Sequence, residues 1–165
     1  MMALNRRPIV ARVSISIVFY PGSSLVHMDP GILPEFRFWD VLVGVEKNRG
    51  QMQYVPSRIP RGQEAHYLRH EQGHMDLMGL FARELEVRLK QLRAVDEARL
   101  LRAADTTVDE VVRSARMYAI NPPHLDCLYD RETNHGQSRQ RQERWNHRIA
   151  QNIARWHEPN FRVGM

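Results

Sequence analysis

The amino-acid sequence predicts an α+β fold, with a small, mostly antiparallel N-terminal sheet packed on helices and the pentapeptide His70-Glu71-Gln72-Gly73-His74 on a long central helix. Three observations predict it. Residues 10–20 alternate and are rich in Val and Ile, and residues 36–45 form a second β-rich run. From Gln63 the apolar residues recur at steps of three and four, and no proline interrupts them between Pro60 and Pro122. A chain of 165 residues suits one domain with a single core. Residues 1–60 are its β-rich part and residues 61–165 its helical part.

The first strand is read over residues 10–20. Arg6 and Arg7 before the apolar stretch 13–20 faintly suggest an export signal, but Ser14 and Ser16 alternate with apolar neighbours in the manner of a strand. Residues 36–45 give a second strand and residues 51–55 a short third. Turn formers separate them at Pro21-Gly22, Asp29-Pro30-Gly31 and Asn48-Arg49-Gly50.

In the helical part, Met78, Phe81, Leu85, Leu89 and Leu92 fall on one stripe, which is expected to face the core. Traced backwards by the same steps, the stripe reaches His74 and then His70, so both imidazoles should point inward. A helix running unbroken from residue 64 to residue 104 would span about 60 Å, against a radius of gyration of about 15 Å for a compact chain of this size. A bend or break somewhere after Lys90, or a helix that projects from the body, is therefore expected. A second helix is read from Asp105-Thr106-Thr107, where capping residues precede Asp109 and Glu110, and it ends before Asn121-Pro122-Pro123. A last helix covers residues 138–155, with Trp145, Ile149, Ile153 and Trp156 on one face.

Hydrophobic residues at 42% and charged residues at 26% are ordinary globular usage, which argues against a disordered or fibrous chain. The net charge of +5 is almost wholly arginine, Lys47 and Lys90 being the only lysines, and it reads as charge spread over solvated faces. Cys127 is the single cysteine, so an intrachain disulfide scaffold is excluded. No segment approaches the roughly 18 to 20 apolar residues of a membrane helix, so no membrane partner is expected. The cellular location stays open between cytoplasm and export.

The pentapeptide matches H-E-x-x-H. On a helix the i, i+4 spacing sets His70 and His74 one turn apart on one side, where both can hold one tetrahedral ion such as zinc. Glu71 lies beside them as a candidate general base. Two core histidines with a surface glutamate are the plain alternative, and burying these polar groups without a cation counts against it. A catalytic zinc needs a third protein ligand. The extended pattern with a third histidine fails because Leu77 and Leu80 stand where glycine and histidine are required. Glu97, Asp105, Glu110, His124, Asp130 and His135 remain as candidates. His135, followed by flexible Gly136 in a polar segment, is the first choice, with Asp130 either replacing it or orienting it.

The H-E-x-x-H segment, followed by Tyr129-Asp130-x-x-Thr133-x-His135-Gly136 and then Gln140 or Gln142 and Trp145, resembles the DUF922 family of predicted zinc-dependent proteases. The similarity covers roughly residues 60 to 155. It implies a zincin-like arrangement, with a sheet packed on the motif helix, and His135 as third ligand. Members commonly carry paired cysteines and look secreted, whereas this chain has one cysteine and no clear signal segment.

The expected activity is that of a zinc metallohydrolase, a peptidase acting on a peptide or protein substrate, with His70, His74 and His135 as metal ligands and Glu71 as base. Tyr129 is a candidate oxyanion donor and Asp76 a candidate partner for a ligand histidine. Two other classes compete: a metal-binding module without turnover, and a nucleic-acid binder using Arg139, Arg141, Arg144, Arg148 and Arg155. Glu143 and the tryptophan stripe interleave those arginines, so no nucleic-acid partner is expected.

Overall fold

The computed structural model describes residues 11–12, 15–21, 24–27, 35–38, 41–47, 53–54, 59–119 and 127–165. Among the described residues six strands, β1 (Ala11–Arg12), β2 (Ile15–Pro21), β3 (Ser24–His27), β4 (Glu35–Phe38), β5 (Val41–Lys47) and β6 (Gln53–Tyr54), precede four helices. These are α1 (Glu64–Gln91), α2 (Glu97–Tyr118), α3 (Leu128–Thr133) and α4 (Arg139–Ala154). The α+β class is as expected.

The strands pair in nested order, β1 with β6, β2 with β5 and β3 with β4, all antiparallel. Pro21 faces Val41 and, three residues further on, Ser24 faces Phe38, so the inner two ladders share one register. Their residue pairs keep one constant sum of positions, as in a shared antiparallel register. The outer ladder is offset, since Ile15 is four positions beyond Ala11 but Tyr54 is seven positions beyond Lys47. The expected sheet is thus, among the described residues, a two-stranded ribbon. β3 was not foreseen, and the proposed turns at residues 29–31 and 48–50 lie outside the described residues. A lone two-stranded ribbon is marginal in water and needs a partner surface. It finds one on α1: Val41, Val43 and Val45 project from one face of β5, and Val41 and Phe38 are buried in the core. Phe36 and Ala94 exchange two backbone hydrogen bonds of 2.7 and 3.0 Å, pinning the ribbon to the turn after α1.

α1 is the spine of the molecule, about 42 Å long at about 1.5 Å per residue for its 28 residues. Met78, Phe81, Leu85 and Leu89 are buried as the stripe required, joined by Leu77, Leu80 and Val87. The helix stops at Gln91, where Leu92 turns extended, which is the break expected after Lys90. α2 starts earlier than the residues 105–107 expected. Asp96 is its N-cap, accepting from the Arg99 amide at 2.7 Å, while Thr106 and Thr107 sit inside the helix and donate back to Arg102 and Ala103 carbonyls. The α2 helix folds back along α1, linked by the Arg88–Glu110 ion pair.

α4 begins after Ser138 and ends before Arg155, as read from the sequence. Its buried face is Gln142, Trp145, Ile149 and Asn152 rather than one that includes Ile153, which is 45% exposed. Asn152 is polar there because it accepts from the Gly164 amide and donates to the Gly164 carbonyl, at 2.8 Å each, tying down the C-terminal segment. That segment runs back along α1, with Phe161 fully buried and the Val163 amide donating to Glu84. Among the described residues no helix is long and apolar enough to cross a membrane.

Candidate metal centre

The i, i+4 spacing on α1 does what the helix repeat demands: the His70 and His74 rings meet edge to face at 4.9 Å between centroids. The third component arrives from α3. This short helix is seated by Tyr129, whose ring stacks on His70 at 4.7 Å, stands edge-on to His74 at 4.8 Å and packs against Trp145 at 5.3 Å. Such a wedge is possible only because residue 73 is glycine, since a Cβ there would lie 2.1 Å from the Tyr129 hydroxyl oxygen. The next residue, Asp130, then projects its carboxylate at both histidines. Its Oδ1 lies 3.1 Å from His70 Nε2 and 2.9 Å from His74 Nε2. The three ligand atoms lie within 4.8 Å of one another, a grouping able to hold a metal ion.

The loop after α3 closes the site from the other side. Asn134 and His135 both take positive φ, 52° and 53°, and Gly136 follows at 76°. Gly136 is needed for a second reason, because a Cβ on it would come within 2.9 Å of the His70 Cβ and Cγ atoms. His66, one turn before His70, hydrogen-bonds the Gly136 carbonyl and clamps this loop to α1.

Both histidines are held at their far nitrogens. His74 Nδ1 lies 2.9 Å from the Ala119 carbonyl oxygen and His70 Nδ1 lies 3.0 Å from Gln142 Oε1. A carbonyl can only accept, so His74 Nδ1 carries the hydrogen and its Nε2 turns a lone pair towards the Asp130 carboxylate. Two acceptors at 2.9 Å repel unless a cation, either a proton or a metal ion, stands between them. With no metal the proton serves. Burial pulls His74 down, but the hydrogen bond to Asp130, the charges of Asp130 and Glu71 and the Ala119 carbonyl outweigh it and raise its pKa. Burial likewise pushes the Asp130 carboxyl up, and hydrogen bonds and charge from His70 and His74 in their protonated, imidazolium form bring it well below the usual carboxylate range.

Of the residues foreseen as ligands, the structure brings His70 and His74 together with Asp130, not with His135. His135 stands at the rim, its side chain 34% exposed and its Nδ1 3.8 Å from Asp130 Oδ1. Glu97, Asp105 and Glu110 are exposed on α2, and His124 lies outside the described residues. Glu71 is half-buried beside His70 and His74, and its negative charge acts on His74 and Tyr129. The oxyanion role foreseen for Tyr129 does not match its position. The ring has no exposed surface, and its hydroxyl donates to the His70 carbonyl at 3.1 Å. Asp76 takes a hydrogen bond from Gln72 at 2.7 Å and not from His70 or His74.

Sequence reasoning gave no role to Gly73, the Ala119 carbonyl or His66, and reached Gln142 only as one of two glutamines in a resemblance. The signal for Gly73 was present, because glycine mid-helix costs about 1 kcal/mol relative to alanine and calls for a packing reason. Of the arginines weighed for nucleic acid, Arg139 pairs with Glu143 on α4 at 3.3 Å and Arg155, just beyond the helix, pairs with Glu158 at 2.8 Å. No family model, curated protein or solved structure matches the chain.

Proposed function

We propose that this chain is a zinc-dependent hydrolase whose substrate is a peptide bond, with His70 Nε2, His74 Nε2 and Asp130 Oδ1 as the metal ligands. The observation that carries the proposal is the convergence of these three atoms, with both Nδ1 atoms facing acceptor oxygens. Two imidazole nitrogens and a carboxylate oxygen suit zinc, and three protein ligands leave a position for water or substrate. Hydrogen-bonded outer nitrogens are the usual support of zinc-bound histidines. The motif pairing that resembles DUF922 favours a zinc peptidase as well, although it implies His135 rather than Asp130 as third ligand, and a zincin-like placement of the motif helix under antiparallel strands belongs to it.

When bound, zinc polarises the scissile carbonyl and lowers the pKa of its water to about 7. The chain's own residues do the rest. Glu71 takes the proton of the attacking water and passes it to the leaving amine. Asp130 sets the direction of both ligand histidines, and the loop 134–136 carries His135 at the rim. A site that only bound metal would have no use for a carboxylate at position 71.

The test compares untagged native protein with Glu71→Gln by elemental analysis and by mass spectrometry of a mixed peptide pool. About one zinc per chain is expected in both proteins. New peptide termini are expected only with the native chain, the variant being slower by about 10²- to 10⁴-fold. Native protein that takes up no zinc after incubation with the metal overturns the reading.

A further inference from the structure

We infer that Gln142 is a positioning residue that fixes the tautomer of His70, through a closed ring of hydrogen bonds that begins and ends on His70 itself. The inference rests on the reading of His70 as a metal ligand for its purpose, but its geometry is independent of any metal. The ring starts at the His70 backbone carbonyl, which can only accept. The Tyr129 hydroxyl must therefore spend its hydrogen there, at 3.1 Å. Its oxygen is then left to accept from Gln142 Nε2. The second amide hydrogen of Gln142 goes to Asn146 Oδ1 at 2.9 Å. Both amide hydrogens being placed, the atom that faces His70 Nδ1 at 3.0 Å is the oxygen, Oε1.

His70 Nδ1 must then carry the hydrogen, and the lone pair is confined to Nε2, the atom 3.1 Å from Asp130 Oδ1. Thr133 adds to this from the other side. Its hydroxyl hydrogen is on the Tyr129 carbonyl at 2.7 Å, so at 3.5 Å from His70 Nδ1 it too presents an acceptor. Gln142 is 1% exposed and Thr133 fully buried, so water does not compete for either bond. Free imidazole exchanges its two neutral tautomers readily, and only one of them offers Nε2 to a metal. Gln142 thus holds His70 ready for the ion, and a buried glutamine on the polar helix α4 acquires a reason.

The test reads the ¹⁵N shifts of the His70 ring in metal-free protein, at a pH where the imidazole is neutral, and zinc affinity by competition with a chelator. Native protein is expected to show hydrogen on Nδ1. Gln142→Leu is expected to mix the two tautomers and to weaken zinc binding about 10- to 100-fold. Gln142→Glu keeps an acceptor facing Nδ1 and is expected to keep the native tautomer and to bind zinc at least as well. Hydrogen on Nε2 in the native metal-free protein overturns the inference, as does folded Gln142→Leu with native tautomer and affinity. Should the leucine variant fail to fold, loss of the Nδ1 hydrogen in Gln142→Glu overturns it. A native chain that shows the expected tautomer yet binds no zinc leaves the ring standing and removes the metal reading.

Discussion

His74 Nε2 stands 2.9 Å from Asp130 Oδ1, and the two side chains are only 12% and 7% exposed. So close and dry a pair of acceptor groups needs a positive charge between them, and it makes Asp130 the carboxylate on which the site depends. Loss of Asp130 leaves two imidazoles without their common oxygen, whereas loss of His135 removes a side chain from the rim.

Asp130→Ala is therefore expected to lose zinc by at least the 10- to 100-fold that removal of even an outer-shell partner costs, and His135→Ala to retain about one zinc per chain. Elemental analysis of the two purified variants checks this. The opposite pattern would return the third-ligand role to His135.

The same pair predicts how metal-free protein responds to pH. The pKa of His74 is raised above its ordinary 6.5, so the stability it contributes is full below 6.5 and drains away as pH rises through its folded value. Asp130 is lowered below its ordinary 3.8, so its contribution is full above 3.8 and drains as pH falls through its folded value. Both are present between 3.8 and 6.5, where thermal melting of the metal-free protein should show this pair's contribution at its largest. On the proposed reading zinc takes the place of the proton on His74, so zinc affinity should rise with pH across and above that window, with protons released on binding. Affinity independent of pH would mean that His74 is not a ligand.

How much of this was legible in the sequence depends on how local each signal was. The stripe from Met78 to Leu89 fixes which face of α1 is buried, and the helix repeat then carries His70 and His74 inward with no further information. Alternation identifies strands but not their partners, so the nested register of the ribbon could not be read from residues 10–20 and 36–45. Thr106 and Thr107 imitate a helix start, yet their hydroxyls are satisfied by carbonyls four residues back, while Asp96 supplies the real cap. The choice between Asp130 and His135 turns on the placement of α3, which is set by Tyr129 fitting over Gly73, a contact across 56 positions of sequence.

Cys127 offers a check on α3 that does not involve the metal. Its Sγ accepts from the Asp130 amide at 3.5 Å and it is 2% exposed. Burial, then the Asp130 charge, push the thiol from 9.0 up to about 12. At neutral pH that lowers the thiolate fraction about a thousandfold, so a thiol reagent should leave native protein unlabelled and label it once after unfolding. Mass spectrometry decides, and zinc content should be unchanged by exposure of the native protein to the reagent. Ready labelling of native protein would mean that α3 is not seated as described.

Gly73→Ala sets two effects of opposite sign against each other. Alanine favours the helix by up to about 1 kcal/mol over glycine. Against this, its methyl would lie 2.1 Å from the Tyr129 hydroxyl oxygen and 2.7 Å from the adjoining ring carbon. A flexible side chain could swing away, but the Tyr129 ring is stacked on His70 and its hydroxyl is tied to the His70 carbonyl and Gln142. Relief therefore requires α3 to move off α1, at an overpacking cost of about 1 to 3 kcal/mol that outweighs the gain in propensity. Asp130 moves with α3, so the variant should both melt earlier and bind zinc more weakly, as calorimetry and chelator competition would show. Unchanged zinc affinity in a folded Gly73→Ala protein would mean that the position of Asp130 does not depend on the contact between Tyr129 and Gly73.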